Sequence, residues 1–347
     1  MAYTTINKHT AHFNTKLYTG NGGTQSITGV GFQPDWIWIK NRSATNSSPL
    51  YDSVRGAEKR IQSDDGGAES NKSTGVSSID SDGFSVGSAG QNNGNGNNIV
   101  SWNWKAGTTG SGTTTGSGYG KAYSYSVNTT AGFSVIKYIG NGTAGHTLPH
   151  HLGAVPEWIL VKDLDAATNW QMYHVKTGNT HTTELNINNA PFSSNSRWNN
   201  TTPSSTVVTF GDGNNTNNNN TNYIMYAFAP KTGYSKFGQY TGNGNNNGPF
   251  VYTGFKPSFV MTIRKDATSG RGMLDNKRPG YNVTHQYVLA NDTQAEASDG
   301  SWSMDLLSNG WKARYNNGNF NANGGTYIYM AFGQSLVGSN NIPCTAR

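Results

Sequence analysis

Apolar residues in this chain come in short runs bounded by proline or glycine on one side and by polar residues on the other. Trp36-Ile-Trp-Ile-Lys40, Trp158-Ile-Leu-Val-Lys162 and Phe259-Val-Met-Thr-Ile-Arg264 are rich in aromatic and β-branched side chains. At this length, and with these boundaries, such runs read as strands. Gly83-Phe-Ser-Val86 and Gly310-Trp-Lys-Ala313 alternate apolar and polar positions directly after an Asp or Asn preceding glycine, the hairpin signal. Few windows hold a 3.6-residue period for three turns, because Gly, Asn and Thr interrupt them. The pattern predicts an all-β protein.

The strands recur in a fixed order. Tyr18-Thr-Gly-Asn-Gly22, Tyr138-Ile-Gly-Asn-Gly142 and Tyr240-Thr-Gly-Asn-Gly244 each lead to a proline (34, 156, 257) and then to an aromatic run. Each copy closes on a second aromatic strand, ending at Trp104, Phe228 and Phe332. Trp36, Trp104, Trp158, Phe228, Phe259 and Phe332 are therefore the expected core of the repeat. The expected fold is three tandem copies of a β-sandwich or jelly-roll-like domain, each with its own core, joined by Gly/Ser/Thr-rich linkers. The divisions are an N-terminal arm at 1–17 (a possible anchor), a first domain at 18–106, a flexible linker at 107–121, a second domain at 122–230, a third at 231–335 and a tail at 336–347. Asn214-Asn-Thr-Asn-Asn-Asn-Asn-Thr-Asn222 reads as a long exposed hairpin loop.

Composition narrows the function classes. Only 13% of the 347 residues are charged, while 44 are Gly, so polarity comes from neutral side chains, as in turn-rich β proteins. The 18 Tyr, 13 Phe and 9 Trp supply enough buried area to argue against disorder. A net charge of +6 is modest and its 25 basic residues are scattered, which argues against nucleic-acid binding. Cys344 is the single cysteine, so no internal disulfide framework is possible. The N-terminus lacks the basic and apolar regions of a signal peptide, and no apolar run is long enough to span a membrane.

Candidate chemistry is sparse. Eighteen residues after the shared proline stand Asp52-Ser-Val-Arg55, His174-Val-Lys-Thr177 and Asp275-Asn-Lys-Arg278. An Asp followed three residues later by Arg closes a charge-assisted pair across a turn. We read the two Asp–Arg pairs, Asp52/Arg55 and Asp275/Arg278, as loop clamps, each within its own copy; a sugar- or carboxylate-binding site repeated in two copies is the other reading. His146, His150 and His151 lie close in sequence, but no Cys or carboxylate completes a metal set, and they read as surface histidines. No EF-hand spacing, phosphate loop or paired carboxylates for glycoside hydrolysis stand out. The expectation is a non-enzymatic protein with no catalytic residues, no metal and no cofactor.

Longer stretches carry a resemblance. Phe13-Asn-Thr-Lys-Leu-Tyr-Thr-Gly-Asn-Gly22, Gly31-Phe-Gln-Pro-Asp-Trp-Ile-Trp-Ile-Lys-Asn-Arg42, Val100-Ser-Trp-Asn-Trp-Lys105, Gly233-Tyr-Ser-Lys-Phe-Gly238, Phe250-Val-Tyr-Thr-Gly-Phe-Lys-Pro257 and Gly325-Thr-Tyr-Ile-Tyr-Met-Ala-Phe332 resemble a bacteriophage family. Its members are tail-fibre-like virion structural proteins of marine phages and cyanophages, built from a repeated β domain of unknown function. The resemblance implies a virion location, assembly in the host cytoplasm and release by lysis. It also implies other virion proteins as partners, and it transfers no catalytic residues. Within it, a homo-oligomeric, trimeric fibre or spike touching host-surface glycans is the expectation, and a capsid or tail decoration protein the alternative.

Overall fold

The computed structural model describes residues 4–337. Cys344 and most of the tail at 336–347 lie outside the described residues. The chain is all-β: its strands pair antiparallel throughout and its helices are single turns.

Each repeat contributes one large sheet and one three-stranded sheet. In the first, the large sheet runs Phe13–Thr19, Asn98–Trp104, Trp36–Asn41, Pro49–Asp52, Gly56–Gln62 and Ser70–Asn71. The second repeats this order from Phe133–Ile139 through Asn222–Phe228, Trp158–Asp163, Gln171–His174 and His181–Glu184. The third runs Ser235–Thr241, Thr326–Ser335, Phe255–Arg264, Gly272–Asp275 and Val288–Leu289. Registers also match: Trp36 stands between Trp104 and Asp52, Trp158 between Phe228 and His174, and Phe259 between Phe332 and Asp275.

The aromatic runs are buried on both faces, which is why they are apolar throughout rather than alternating. Ile37 and Ile39 point to the first repeat's small sheet, where they meet Ile27, Phe84 and Val86. Trp36 and Trp38 point the other way, into a centre that all three large sheets share. Trp158, Leu160, Phe259 and Met261 enter the same centre, while Ile159 and Val260 turn to their own small sheets. Trp104, Phe228 and Phe332 form a triangle, with ring centroids 5.7 to 6.3 Å apart. The expectation of separate cores is thus corrected. Each repeat has a private layer, and the three close on a common one.

Two further expectations change. The Gly/Ser/Thr stretch at 107–121 is not a flexible linker, because Thr108–Thr113 pairs with Ala122–Asn128 and Thr115–Gly116 pairs with His146–Pro149. Gly110 and Gly112 stand opposite Tyr125 and Tyr123, and a Cβ at either would come within 2.6 Å of the tyrosine oxygen. These glycines make room for cross-strand rings. The boundary at 17/18 also moves, because the described part of the arm belongs to the body of the molecule. Ile6 is buried in the shared centre, Phe13–Thr19 is the first strand, and the His9 N–H donates to Gln334 Oε1 at 3.0 Å.

Candidate functional site

The Asp–Arg pairs close as buried bridges. Arg55 Nε donates to Asp52 Oδ2 at 2.5 Å and Arg278 Nε to Asp275 Oδ2 at 2.7 Å, with all four side chains at 1% exposure or less. In each, Oδ1 of the aspartate accepts the backbone N–H of the arginine, which closes the turn. A second carboxylate, Glu69 or Glu296, takes Nη1 at 3.1 Å.

These clamps do more than hold their own loops. Tyr226, from the second repeat, donates to Asp52 Oδ2 at 2.7 Å, and Trp102 Nε1, from the first, donates to Asp275 Oδ2 at 3.1 Å. Both donors stand two residues before the closing aromatic of their strand. The corresponding residue of the third repeat is Met330, which has no donor. The position facing that repeat holds His174 instead of Asp, and its Nε2 lies 3.4 Å from the Tyr329 carbonyl. His174 Nδ1 accepts the Lys176 N–H, so the proton sits on Nε2. Burial pushes the His174 pKa down to about 3, so the ring is neutral. A carboxylate is thus placed where the neighbouring strand offers a hydrogen, and a neutral ring where it does not. Other groups close the same seams. Arg42 makes two hydrogen bonds to Glu296, Trp170 Nε1 donates to the Gln62 carbonyl, and Arg271 Nη2 donates to the Glu184 carbonyl.

A second repeated device has its own signal in the sequence, a buried asparagine at a fixed distance from the closing aromatic. Asn93, Asn217 and Asn321 each stand eleven residues before the closing aromatic, are fully buried, and end a one-turn helix. Each Oδ1 accepts the N–H of the Asn in the Gly-Asn-Gly turn, at 2.8 to 2.9 Å. Each Nδ2 donates to two backbone carbonyls, among them Gly87, Gly211 and Tyr315. The tyrosine that opens the motif (18, 138, 240) donates to the carbonyl preceding that asparagine. The first glycine of each turn lies against the backbone after the helix, where a Cβ would overlap a carbonyl oxygen; the second has φ of 63 to 72°. The 214–222 segment is accordingly not a long exposed loop throughout, because Thr216 and Asn217 are buried.

The histidine group is corrected as well. His146 and His150 are buried rather than on the surface. His146 Nδ1 donates to Asn217 Oδ1 at 2.8 Å and Nε2 meets Thr114 Oγ1 at 2.6 Å; His150 bonds Ser204 and Leu152. Both rings have their nitrogens engaged, and among the described residues no group of three or more His, Cys, Asp or Glu side chains is placed to hold a metal.

One open surface feature is a groove of about 720 Å³ on the third repeat. It lies between Ser235–Thr241, an edge strand of the large sheet, and Phe250–Tyr252, an edge strand of the small one. Phe250 and Tyr252 are 46% and 54% exposed, and Val251 between them is buried. Lys236 Nζ donates to the Tyr252 carbonyl at 2.8 Å and lies 5.1 Å from its ring centroid. Glu157 and Lys176 of the second repeat complete the rim.

A family model described as a domain of unknown function (DUF7483) matches residues 8–335. No curated protein and no solved structure matches the chain.

Proposed function

The chain belongs to the DUF7483 family, and from its own residues we propose that it is a non-enzymatic structural protein of a bacteriophage virion, exposed on the particle and attaching it to host-surface glycans. Its architecture is three tandem copies of a sandwich-type domain, a reading supported by the common strand order and register of the large sheets. The observation that carries the attachment reading is the exposed aromatic pair Phe250 and Tyr252 beside the polar rim of the groove. Flat apolar rings next to hydrogen-bonding groups match the two faces of a sugar. Homo-oligomerisation, with a trimer favoured, would multiply a weak site into avidity.

Decoration of a capsid or tail is the second reading. It is favoured by the number of charged groups closed inside seams, Arg55, Arg278, Arg42 and Glu296 among them, which stiffen the body rather than serve a ligand. Purified protein is expected to bind susceptible cells and to compete with phage adsorption. Failure of the assembled protein to bind, together with particles that rupture when it is missing, would establish decoration instead; turnover of host polysaccharide would overturn both.

A further inference from the structure

We propose that the groove between Ser235–Thr241 and Phe250–Tyr252 is the saccharide site and that its ligand is acidic, a uronate-bearing oligosaccharide. This rests on the attachment reading and adds the place and the chemistry.

The other two repeats act as an internal control. The buried Val251 pairs with Trp311 as Ile27 pairs with Phe84 and Leu148 with Val208. Matching the strands on this register puts Phe250 and Tyr252 at the positions of Ser26 and Thr28 in the first repeat, and of Thr147 and Pro149 in the second. The fold therefore forms twice without an aromatic residue at either outward position. The Phe250 ring lies over Gly310 and Tyr252 beside Lys236, yet both rings stay about half exposed, and their presence in one copy alone points to a ligand.

The groove is also shaped by what the third repeat lacks. In the second repeat the corresponding edges are covered: Ala122–Asn128 pairs along Phe133–Ile139, and Thr115–Gly116 along His146–Pro149. In the third, as in the first, both edges are open among the described residues: apart from a Lys231–Ser235 bridge, Ser235–Thr241 pairs with Thr326–Ser335, and Phe250–Tyr252 pairs with Gly310–Ala313. At the groove Gly238 replaces Lys16 and Ile136 of the other repeats and stands opposite Tyr329; a Cβ there would come within 2.6 Å of the tyrosine oxygen.

Charge selects the ligand class. Lys176 and Lys236 line the groove, and Lys265 joins at the rim, where its Nζ donates to the Lys176 carbonyl and lies 3.3 Å from Gln239 Oε1. The single carboxylate among the lining residues is Glu157. Among the lining residues two ammonium groups stand against one carboxylate, and Lys265 adds a further positive charge beside them, which favours an anion. The Lys236 contact with the Tyr252 ring and carbonyl holds the platform beside a cation, so a sugar stacked on Tyr252 brings its carboxylate to Lys236 or Lys176.

The test uses the full chain and titration calorimetry with hyaluronan and oligogalacturonate hexasaccharides, against neutral chitohexaose. At least one acidic probe is expected to bind roughly tenfold tighter than chitohexaose, and to weaken as salt is raised. Tyr252→Ala is expected to lower that affinity about tenfold while leaving the melting temperature unchanged, and a Lys176→Met/Lys236→Met double variant to abolish the preference for the acidic probe. Equal binding of the neutral probe, no binding of either acidic probe, or full affinity in a Phe250→Ala/Tyr252→Ala variant would overturn the proposal. If that variant still adsorbs to cells as the unmodified protein does, the groove assignment falls and attachment stands. If the unmodified protein binds a uronate probe but no cells, the groove stands and attachment falls.

Discussion

Trp102 and Trp104 lie two residues apart on one strand and face the same aromatic centre, but with different needs. The Trp102 indole N–H donates to Asp275, whereas that of Trp104 has no acceptor among the described residues. Replacing either by Phe loses ring area, but only Trp102→Phe removes a hydrogen bond to a buried carboxylate, a difference of about 1.5–3 kcal/mol. Denaturant titration should find Trp102→Phe the more destabilising of the two; equal losses would mean that the clamp does not depend on the neighbouring strand. His174 gives a pH signature. Its folded pKa, pushed down to about 3 by burial, lies below the ordinary value of 6.5, so the stability due to the neutral ring is complete above 6.5. As pH falls below that value, the unfolded chain takes up a proton that the folded chain refuses, and stability drops by about 1.4 kcal/mol per pH unit towards pH 3. His150, pushed down to about 4, acts in the same direction. His174→Asn keeps an acceptor for the Lys176 N–H and removes the titration, so its melting temperature should fall less between pH 6 and 4. Parallel curves for the two proteins would exclude His174 as a source.

Among the elements, the Gly-Asn-Gly turn and its one-turn helix form a unit held by one buried asparagine. Asn217 accepts from Asn141 and His146 and donates to Thr143 and Gly211, so Asn217→Ala leaves several buried groups without partners, a loss on the order of 3 kcal/mol or more. Asn217→Asp keeps the acceptor but loses both donors and sets a carboxylate against two carbonyls; thermal melting should show it no better tolerated than Ala. The 107–121 stretch makes a contrasting case. Its composition reads as a flexible boundary because composition reports side chains, whereas strand pairing uses the backbone, and glycine opposite tyrosine packs a ring over a bare strand. Limited proteolysis is therefore expected to leave the chain intact there. Rapid cleavage into fragments near residue 107 would show the pairing to be weak. The strand runs themselves were legible, since proline, glycine and polar clusters bound them locally.

For the whole molecule, the shared centre sets cooperativity. A repeat excised at 122–230 would expose Tyr226, now packed on Trp36 of the first repeat, Trp158, packed on Phe237 of the third, and Phe228, which meets both, at a cost of a few kcal/mol per ring. The full chain should unfold in one calorimetric transition, and the excised repeat should be aggregation-prone; separate transitions for each third would contradict the common core. The sequence alone determined the all-β class, the threefold repetition and the Asp–Arg turns, because these depend on local alternation, turn chemistry and contacts three residues apart. It also held the cue to the asparagine keystones, in their fixed distance from the closing aromatic. Only the tertiary structure decided that the aromatic runs are buried on both faces, that Trp102 and Tyr226 reach the clamps of their neighbours, and that Phe250 and Tyr252 stay open to solvent. A run apolar at every position leaves open what covers its second face. A partner more than 170 residues away leaves no periodicity in the chain.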